Sequence, residues 1–293
     1  MNMKNTRLKI AKPDIIKAFD SLSQNIFKRS DIDKILSKNR GIWRLTELTS
    51  TNDFVKYMVE KSKLEVVRFA FPSRNILRYA WGKPSMYGLF LSLRPNAYFC
   101  QYTAMYLHGL TEQIPKSVFL NAEQSPKPQN AASLDQGRID NAFKGKPRLS
   151  NNKASYEDFS IYILSGKNTD NLGVIEIETP EGEMVPVTNI ERTLIDITVR
   201  PFYAGGVFEV LKAFRLAHGK VSINKLTATL KKLNYKYPYH QAIGFYLEKT
   251  GLYKKSVVNL LRKFEIQYDF YLNYGMKEKD YSEEWRLFFP KGF

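Results

Sequence analysis

Asn52 and Lys56 stand four residues apart, the spacing that places two side chains on one face of a helix. An asparagine amide can pair with an adenine edge, and a lysine ammonium with guanine or phosphate. Thr51 lies beside them. Three arginines follow, Arg68, Arg74 and Arg78, whose guanidinium groups suit phosphate oxygens. This set points to nucleic-acid binding and not to bond making.

Sets that could make or break bonds are thinner. Glu176 and Glu178 are two apart, so on a strand they share a face. A metal-dependent nuclease needs another acid and a lysine close by, whereas Thr179-Pro180 follow. Ser165-Gly166-Lys167 lacks the glycine spacing of a P-loop. Arg192 and Asp196 have the spacing of an intrahelical ion pair. His108, His218 and His240 are scattered, with His108 at a helix end before Gly109. Cys100 lies among aromatics, as a core residue does. There is no GxSxG and no HExxH, and the sequence calls for no cofactor and no metal.

The elements that must position the basic set are readable from periodicity and punctuation. Pro13 suits a helix start, with Ile15, Ile16, Phe19 and Leu22 at helical spacing. Ser30 with Asp33 resembles a capping box for a second helix, apolar at Ile32, Ile35 and Leu36 and ended by Gly41. Trp43–Leu45 reads as a short strand. Ser50 with Asp53 caps a third helix whose Phe54, Val55, Met58 and Val59 face inward. Thr51, Asn52, Lys56 and Tyr57 are left on the other side. Two strand-like runs, Leu64–Phe71 and Ile76–Trp81, flank the turn Pro72-Ser73-Arg74-Asn75. Arg68 and Arg78 fall on the arms and Arg74 at the tip. Three helices and then a hairpin is the order of a winged helix-turn-helix, whose third helix enters the major groove. The linker from Trp43 to Thr51 is longer than a tight helix-turn-helix turn.

The body reads as α/β (α+β), a mixed sheet covered by helices. Helices are expected at Met86–Leu93, Tyr98–Leu107 and Ala131–Phe143. Strands are expected at Ser117–Asn121, Phe159–Leu164, Leu172–Glu178 and Met184–Val187. Thr188 with Glu191 forms a capping box for Asn189–Val199. Gly205-Gly206 precede a helix through Ala217. Ser222 caps another to about Leu233. Helices at His240–Thr250 and Lys254–Arg262 and a strand at Gln267–Leu272 complete the series.

Charge separates the two regions. The 293 residues carry a net charge of +16. Residues 1–95 hold 19 basic and 8 acidic groups, hence +11, and residues 96–293 hold 26 and 21, hence +5. A basic head, 1–95, on a nearly balanced body, 96–293, fits a polyanion-binding module on a globular partner. The single cysteine excludes an internal disulfide and fits a reducing cytoplasm. No apolar run reaches the ~18 residues of a membrane span. Met1–Ile10 is basic without the apolar core of a secretory signal.

Several stretches together resemble the AbiEi family of antitoxins and transcriptional regulators from type IV (AbiE) abortive-infection systems. They are Thr103-Ala104-Met105-Tyr106-Leu107-His108-Gly109-Leu110-Thr111 with Gln113-Ile114-Pro115, Ala142-Phe143 to Leu149-Ser150-Asn151-Asn152, Leu164-Ser165-Gly166-Lys167, Glu191-Arg192-Thr193-Leu194-Ile195-Asp196, Tyr203-Ala204-Gly205-Gly206-Val207 and Tyr237-Pro238-Tyr239-His240-Gln241-Ala242-Ile243-Gly244-Phe245-Tyr246. The likeness covers roughly residues 100–275 and reaches the first 95 only in architecture. It implies a cytoplasmic autorepressor whose head binds double-stranded inverted repeats upstream of its own operon. It implies a body that counteracts a nucleotidyltransferase-like toxin, with direct contact left open. Arg192, Asp196, Gly205, Gly206, Tyr239 and His240 are the body positions it marks. Two other readings stay open: a nuclease or nucleotide-transferring enzyme using Glu176 and Glu178, and a non-catalytic RNA-binding adaptor.

Overall fold

The computed structural model describes residues 3–127 and 133–293, with side chains of the first helix from Thr6 onward. The chain is mixed α/β and divides into two compact units, Met1–Pro95 with Ala154–Glu157, and Asn96–Lys153 with Asp158–Phe293.

In the first unit, α1 (Met3–Asp20) buries Leu8, Ala11, Ile15 and Phe19. It begins well before Pro13, which lies inside it. The apolar stripe runs upstream to Leu8, and burying that stripe outweighs the one hydrogen bond proline removes. Leu22 falls beyond the helix end and is 41% exposed, not inward. After β1 (Ile26–Phe27) comes α2 (Arg29–Asn39). Its N-cap is Lys28, whose backbone N–H donates to Asp31 Oδ2 at 2.8 Å, so Ser30 is not the cap. Asp33 instead accepts the hydroxyl of Thr51.

Residues 40–50 form no strand at Trp43–Leu45. Trp43 stacks on Phe54 with centroids 5.8 Å apart, and Arg40 donates to the Thr49 carbonyl at 3.0 Å. A long connection is thereby packed down. Ser50 caps α3 (Thr51–Lys61) as its type predicts, accepting from the Asp53 N–H at 3.1 Å. Phe54, Val55 and Met58 are buried, but Val59 is 38% exposed. β2 (Leu64–Ala70) and β3 (Asn75–Trp81) form the hairpin, in register from Leu64↔Trp81 to Ala70↔Asn75. β1 pairs with β3, giving the order β1-β3-β2. Asp20 clamps the hairpin to α1 by accepting from Trp81 Nε1 at 2.7 Å and Lys63 at 3.2 Å. Those donors hold its carboxyl below the usual range. α4 (Met86–Leu91) follows, capped by Ser85.

The second unit opens with β4 (Tyr98–Phe99) and α5 (Gln101–Leu107), which divide the expected single helix. The reason is pairing: Phe99 lies between Leu120 and Val187. β5 (Ser117–Asn121) precedes α6 (Gln136–Lys144). Ala131 and Ala132, expected in that helix, lie outside the described residues. Then come β6 (Lys153–Tyr156), β7 (Phe159–Leu164), β8 (Val174–Glu178) and β9 (Met184–Thr188). The sheet of this unit runs β7-β5-β4-β9-β8, with β5–β7 and β4–β9 parallel and β4–β5 and β8–β9 antiparallel. Ser155 of β6 pairs with Ala70 within the first unit.

α7 (Ile190–Val199) is buried from Glu191 to Thr198. Its cap is Asn189, accepting from the Arg192 N–H at 2.8 Å, and not Thr188. Glu191 serves elsewhere, accepting from the Ser222 N–H at 3.0 Å. α8 (Val207–Leu216), α9 (Ile223–Leu233), α10 (Tyr239–Thr250) and α11 (Lys255–Arg262) surround it. A second sheet orders β10 (Phe270–Tyr271), within the expected strand Gln267–Leu272, with β12 (Leu287–Pro290) and β11 (Lys279–Ser282), neither of them expected, as β10-β12-β11. Trp285, fully buried, precedes β12 and packs on Gly244, where a Cβ would stand 2.2 Å from the ring.

Candidate functional site

In the first unit the basic set divides. Lys56 and Asn52 are exposed on α3. Asn52 Oδ1 accepts from Arg29 Nη2 at 2.5 Å, and Arg29 Nη1 reaches the Thr51 carbonyl at 3.2 Å. A bidentate adenine contact needs that Oδ1, so Asn52 and Arg29 form one surface unit that the sequence reading missed. Thr51 is half-buried, its hydroxyl given to Asp33. Thr51 therefore fixes α3 against α2. Arg68 and Arg74 are exposed on the hairpin, Arg74 at its tip.

Arg78 does not belong with them. It is 7% exposed and donates to the Ser92 carbonyl at 3.1 and 2.6 Å, to Ser92 Oγ at 3.2 Å and to the Leu77 carbonyl at 2.8 Å. Burial lowers its pKa. The alternation of β3 breaks here: Arg78, Tyr79, Ala80 and Trp81 are all buried. A buried guanidinium whose Nε, Nη1 and Nη2 all donate to Ser92 and Leu77 inside the unit is not presented to a phosphate.

In the second unit, Arg192 Nε and Asp196 Oδ1 pair at 2.7 Å, both nearly inaccessible. Burial raises the Asp196 carboxyl above its usual range against the pull of Arg192. Arg192 Nη1 also donates to the Leu172 carbonyl at 2.9 Å. The pair lines a cavity of about 90 Å³ together with Gln101 and Lys167. Gln101 is 5% exposed, has a φ of 53°, and its Oε1 is buried without a hydrogen-bond partner.

A larger groove of about 890 Å³ adjoins it, the two sharing Leu164, Val199, Arg200 and Tyr235 as walls. Tyr239 lines this groove, so Arg192, Asp196 and Tyr239 border one connected set of walls. Gly205 lines a third hollow, of about 320 Å³, beside Tyr102 and Ile114, which shares Phe202 and Tyr203 with the groove. A Cβ there would meet Glu209 Cγ at 2.9 Å, at a φ of 79°. Gly206, at φ 96°, is the N-cap of α8, a backbone that glycine alone takes easily. His240 borders none of these cavities. Its ring stacks on Phe264 at 5.2 Å, and burial pushes its pKa down to about 4. His108 caps α5 and sits 2.6 Å from the Thr188 carbonyl.

Glu176 and Glu178 are exposed on β8. Among the described residues no group of three or more His, Cys, Asp or Glu is arranged to hold a metal, and no helix is long and apolar enough to cross a membrane.

No family model matches the chain, and no curated protein matches it. Among solved structures, the chain is similar to the RV2827C protein from Mycobacterium tuberculosis. The identity is 13% and the TM-score 0.61, over 96% of this chain and 91% of that one. At that identity the likeness is one of fold.

Proposed function

We propose that the chain is a cytoplasmic, sequence-specific DNA-binding autorepressor, with residues 1–95 as a winged-helix head. We further propose that its body, residues 96–293, is the antitoxin of a type IV pair acting against a nucleotidyltransferase-like toxin. The DNA reading rests mainly on one observation. The order α1-β1-α2-α3-β2-β3 ends in an arginine-bearing hairpin, and the Ser50-capped α3 leaves Asn52 and Lys56 exposed. That is the order in which a third helix is presented to the major groove and a wing to the backbone. The concentration of +11 in residues 1–95 supports the same reading. The antitoxin part rests on the family resemblance carried by the Glu191–Asp196 and Tyr203–Val207 stretches.

The test is a gel-shift titration of the full chain against its own upstream DNA and a scrambled duplex, at several salt concentrations. Specific DNA is expected to bind about tenfold or more tightly than scrambled DNA. Arg68→Ala with Arg74→Ala should weaken both and reduce the salt slope by up to ~2. Lys56→Ala with Arg29→Ala should narrow the gap between the two duplexes. Equal affinity for both duplexes, at every salt concentration, would remove the repressor reading. For the antitoxin part, co-expression with the neighbouring toxin should restore growth, and failure to do so would sink it.

A further inference from the structure

The 890 Å³ groove of the second unit is chemically one-sided. Lys146, Arg148, Arg200 and Lys236 line it, and no carboxylate does among the described residues. The unit as a whole is close to charge balance, so this is local segregation of cations. Small, polar and aliphatic residues complete the wall together with aromatic rings, among them Phe202, Tyr235, Tyr237, Tyr239 and Tyr274, and these rings brace one another. Tyr235 meets Tyr239 edge-on at 5.4 Å, and Tyr239 meets Tyr237 at 6.2 Å. Tyr237 meets Phe143 at 5.6 Å, Phe143 stacks on Tyr274 at 4.3 Å, and Tyr274 meets Phe202 at 6.2 Å. Phe202, Tyr235, Tyr237 and Tyr274 are only half-buried, so ring surface faces the groove. Rings held in place ahead of binding lose little freedom when a ligand stacks on them.

The segment Tyr235-Lys236-Tyr237-Pro238-Tyr239 supplies aromatic and cation in alternation. In the small cavity, which shares Arg200 and Tyr235 with the groove, the Gln101 side-chain carbonyl oxygen stands buried and unpartnered. An orphaned acceptor inside a protein is unfavourable unless a donor reaches it. Its backbone is left-handed, a conformation that non-glycine residues rarely keep without surrounding constraint.

We infer that this groove binds a nucleoside phosphate, free or as part of a single strand, with the base against the tyrosine rings and the phosphate among Lys146, Arg148, Arg200 and Lys236. Stacking on aromatic faces with cations along a backbone is how single strands are held without sequence reading. The volume lies in the range of small-molecule and cofactor sites. A purely apolar ligand would leave four cations without a counter-charge, and inorganic phosphate alone would leave the aromatic wall unused. The inference goes beyond the DNA-binding head and uses none of its residues.

The experiment is a calorimetric titration of the full chain with AMP, ATP, adenosine, orthophosphate and a short 5′-phosphorylated single-stranded oligonucleotide. AMP, ATP or the oligonucleotide should bind saturably and more tightly than adenosine or orthophosphate. Preference for the mononucleotides would mark a free ligand, and preference for the oligonucleotide a strand. The variant Lys146→Ala, Arg148→Ala, Lys236→Ala changes only exposed side chains and should lose about tenfold or more in affinity, because each removes a charge-assisted contact. Its thermal unfolding should match that of the unaltered chain. The Arg68→Ala, Arg74→Ala variant should bind these ligands as the unaltered chain does, which separates this site from the head. No saturable binding by any phosphorylated ligand would overturn the inference, as would affinity unchanged by the triple substitution.

Discussion

Arg74 and Arg78 are four residues apart on one hairpin, and their surroundings give them opposite roles. Arg74 is exposed at the tip. Arg78 is spent on the Ser92 and Leu77 carbonyls. Arg78→Ala should therefore lower stability by about 2–3 kcal/mol, the cost of stranding buried partners of a charged donor. Arg74→Ala should stay within about 0.5 kcal/mol and act on DNA affinity alone. Urea unfolding of the two variants checks this, and equal stability of both would contradict the assignment. His240 supports a second test at this scale. Its pKa is about 4 in the folded chain, against ~6.5 when unfolded. The unfolded chain takes up that proton first as pH falls. The contribution of neutral His240 is thus fully present above about pH 6.5 and is lost as pH drops toward 4. Burial lowers His108 as well, with the same sign. Urea midpoints should fall from pH 7 to pH 5, and His240→Phe should flatten part of that slope. A slope unchanged in His240→Phe would rule the residue out as its source.

At the scale of elements, local chemistry explains why some segments were legible in the sequence and others were not. Ser50 and Asp53 announce α3 because a cap is a contact between neighbours in the chain. The hairpin turn at Pro72–Asn75 is readable for the same reason. β4 was hidden, since a two-residue strand exists only through its distant partners Leu120 and Val187. In the second sheet, β10 falls within the expected strand Gln267–Leu272, while its partners β12 and β11 were not read. Of the body positions marked by resemblance, Arg192, Asp196, Gly205 and Tyr239 border cavities, while Arg200, Gln101, Lys146 and Arg148 were not marked as site positions. The Tyr-Lys-Tyr-Pro-Tyr alternation was the one available signal. Gly244 shows a long-range constraint that helix propensity would misjudge. An alanine there improves α10 locally, yet its Cβ would stand 2.2 Å from the Trp285 ring. That ring is held by Glu248 on its Nε1 and by Arg262 5.1 Å over its face. Gly244→Ala should destabilise the protein by about 1–3 kcal/mol. In a Trp285→Phe background the penalty should shrink by about 1 kcal/mol or more, a coupling that a double-mutant cycle measures. Additive effects would mean that the ring is not what alanine meets.

At the scale of the whole molecule, the chain enters the first unit twice. After residue 95 it builds α5, β5 and α6, then returns with residues 154–157. The return is a packed element: Ala154 is fully buried, and Tyr156 lies 5.0 Å from Phe69 and 6.5 Å from Phe90. Ser155 adds backbone pairing at Ala70, on the outer edge of β2. A fragment ending at residue 95 therefore keeps the α3 cap and the basic side chains but loses the cover of its hairpin. Aromatic pairs contribute ~0.5–1.5 kcal/mol each beyond the area they bury. Two such contacts and a strand pairing should be worth about 1.5–3 kcal/mol to β2 and β3, or roughly tenfold or more in the protection of their amides. Hydrogen exchange on the 1–95 fragment should show that loss at 64–81, and Tyr156→Ala in the full chain should reproduce much of it. Protection at α7, in the other unit, should be unaffected by Tyr156→Ala. If β2 and β3 exchange equally in fragment and full chain, the returning strand contributes nothing and the head is complete at residue 95. If they differ, weak DNA binding by the fragment would report a loosened hairpin, and side-chain substitutions in the full chain are the sound way to test the proposed DNA contact.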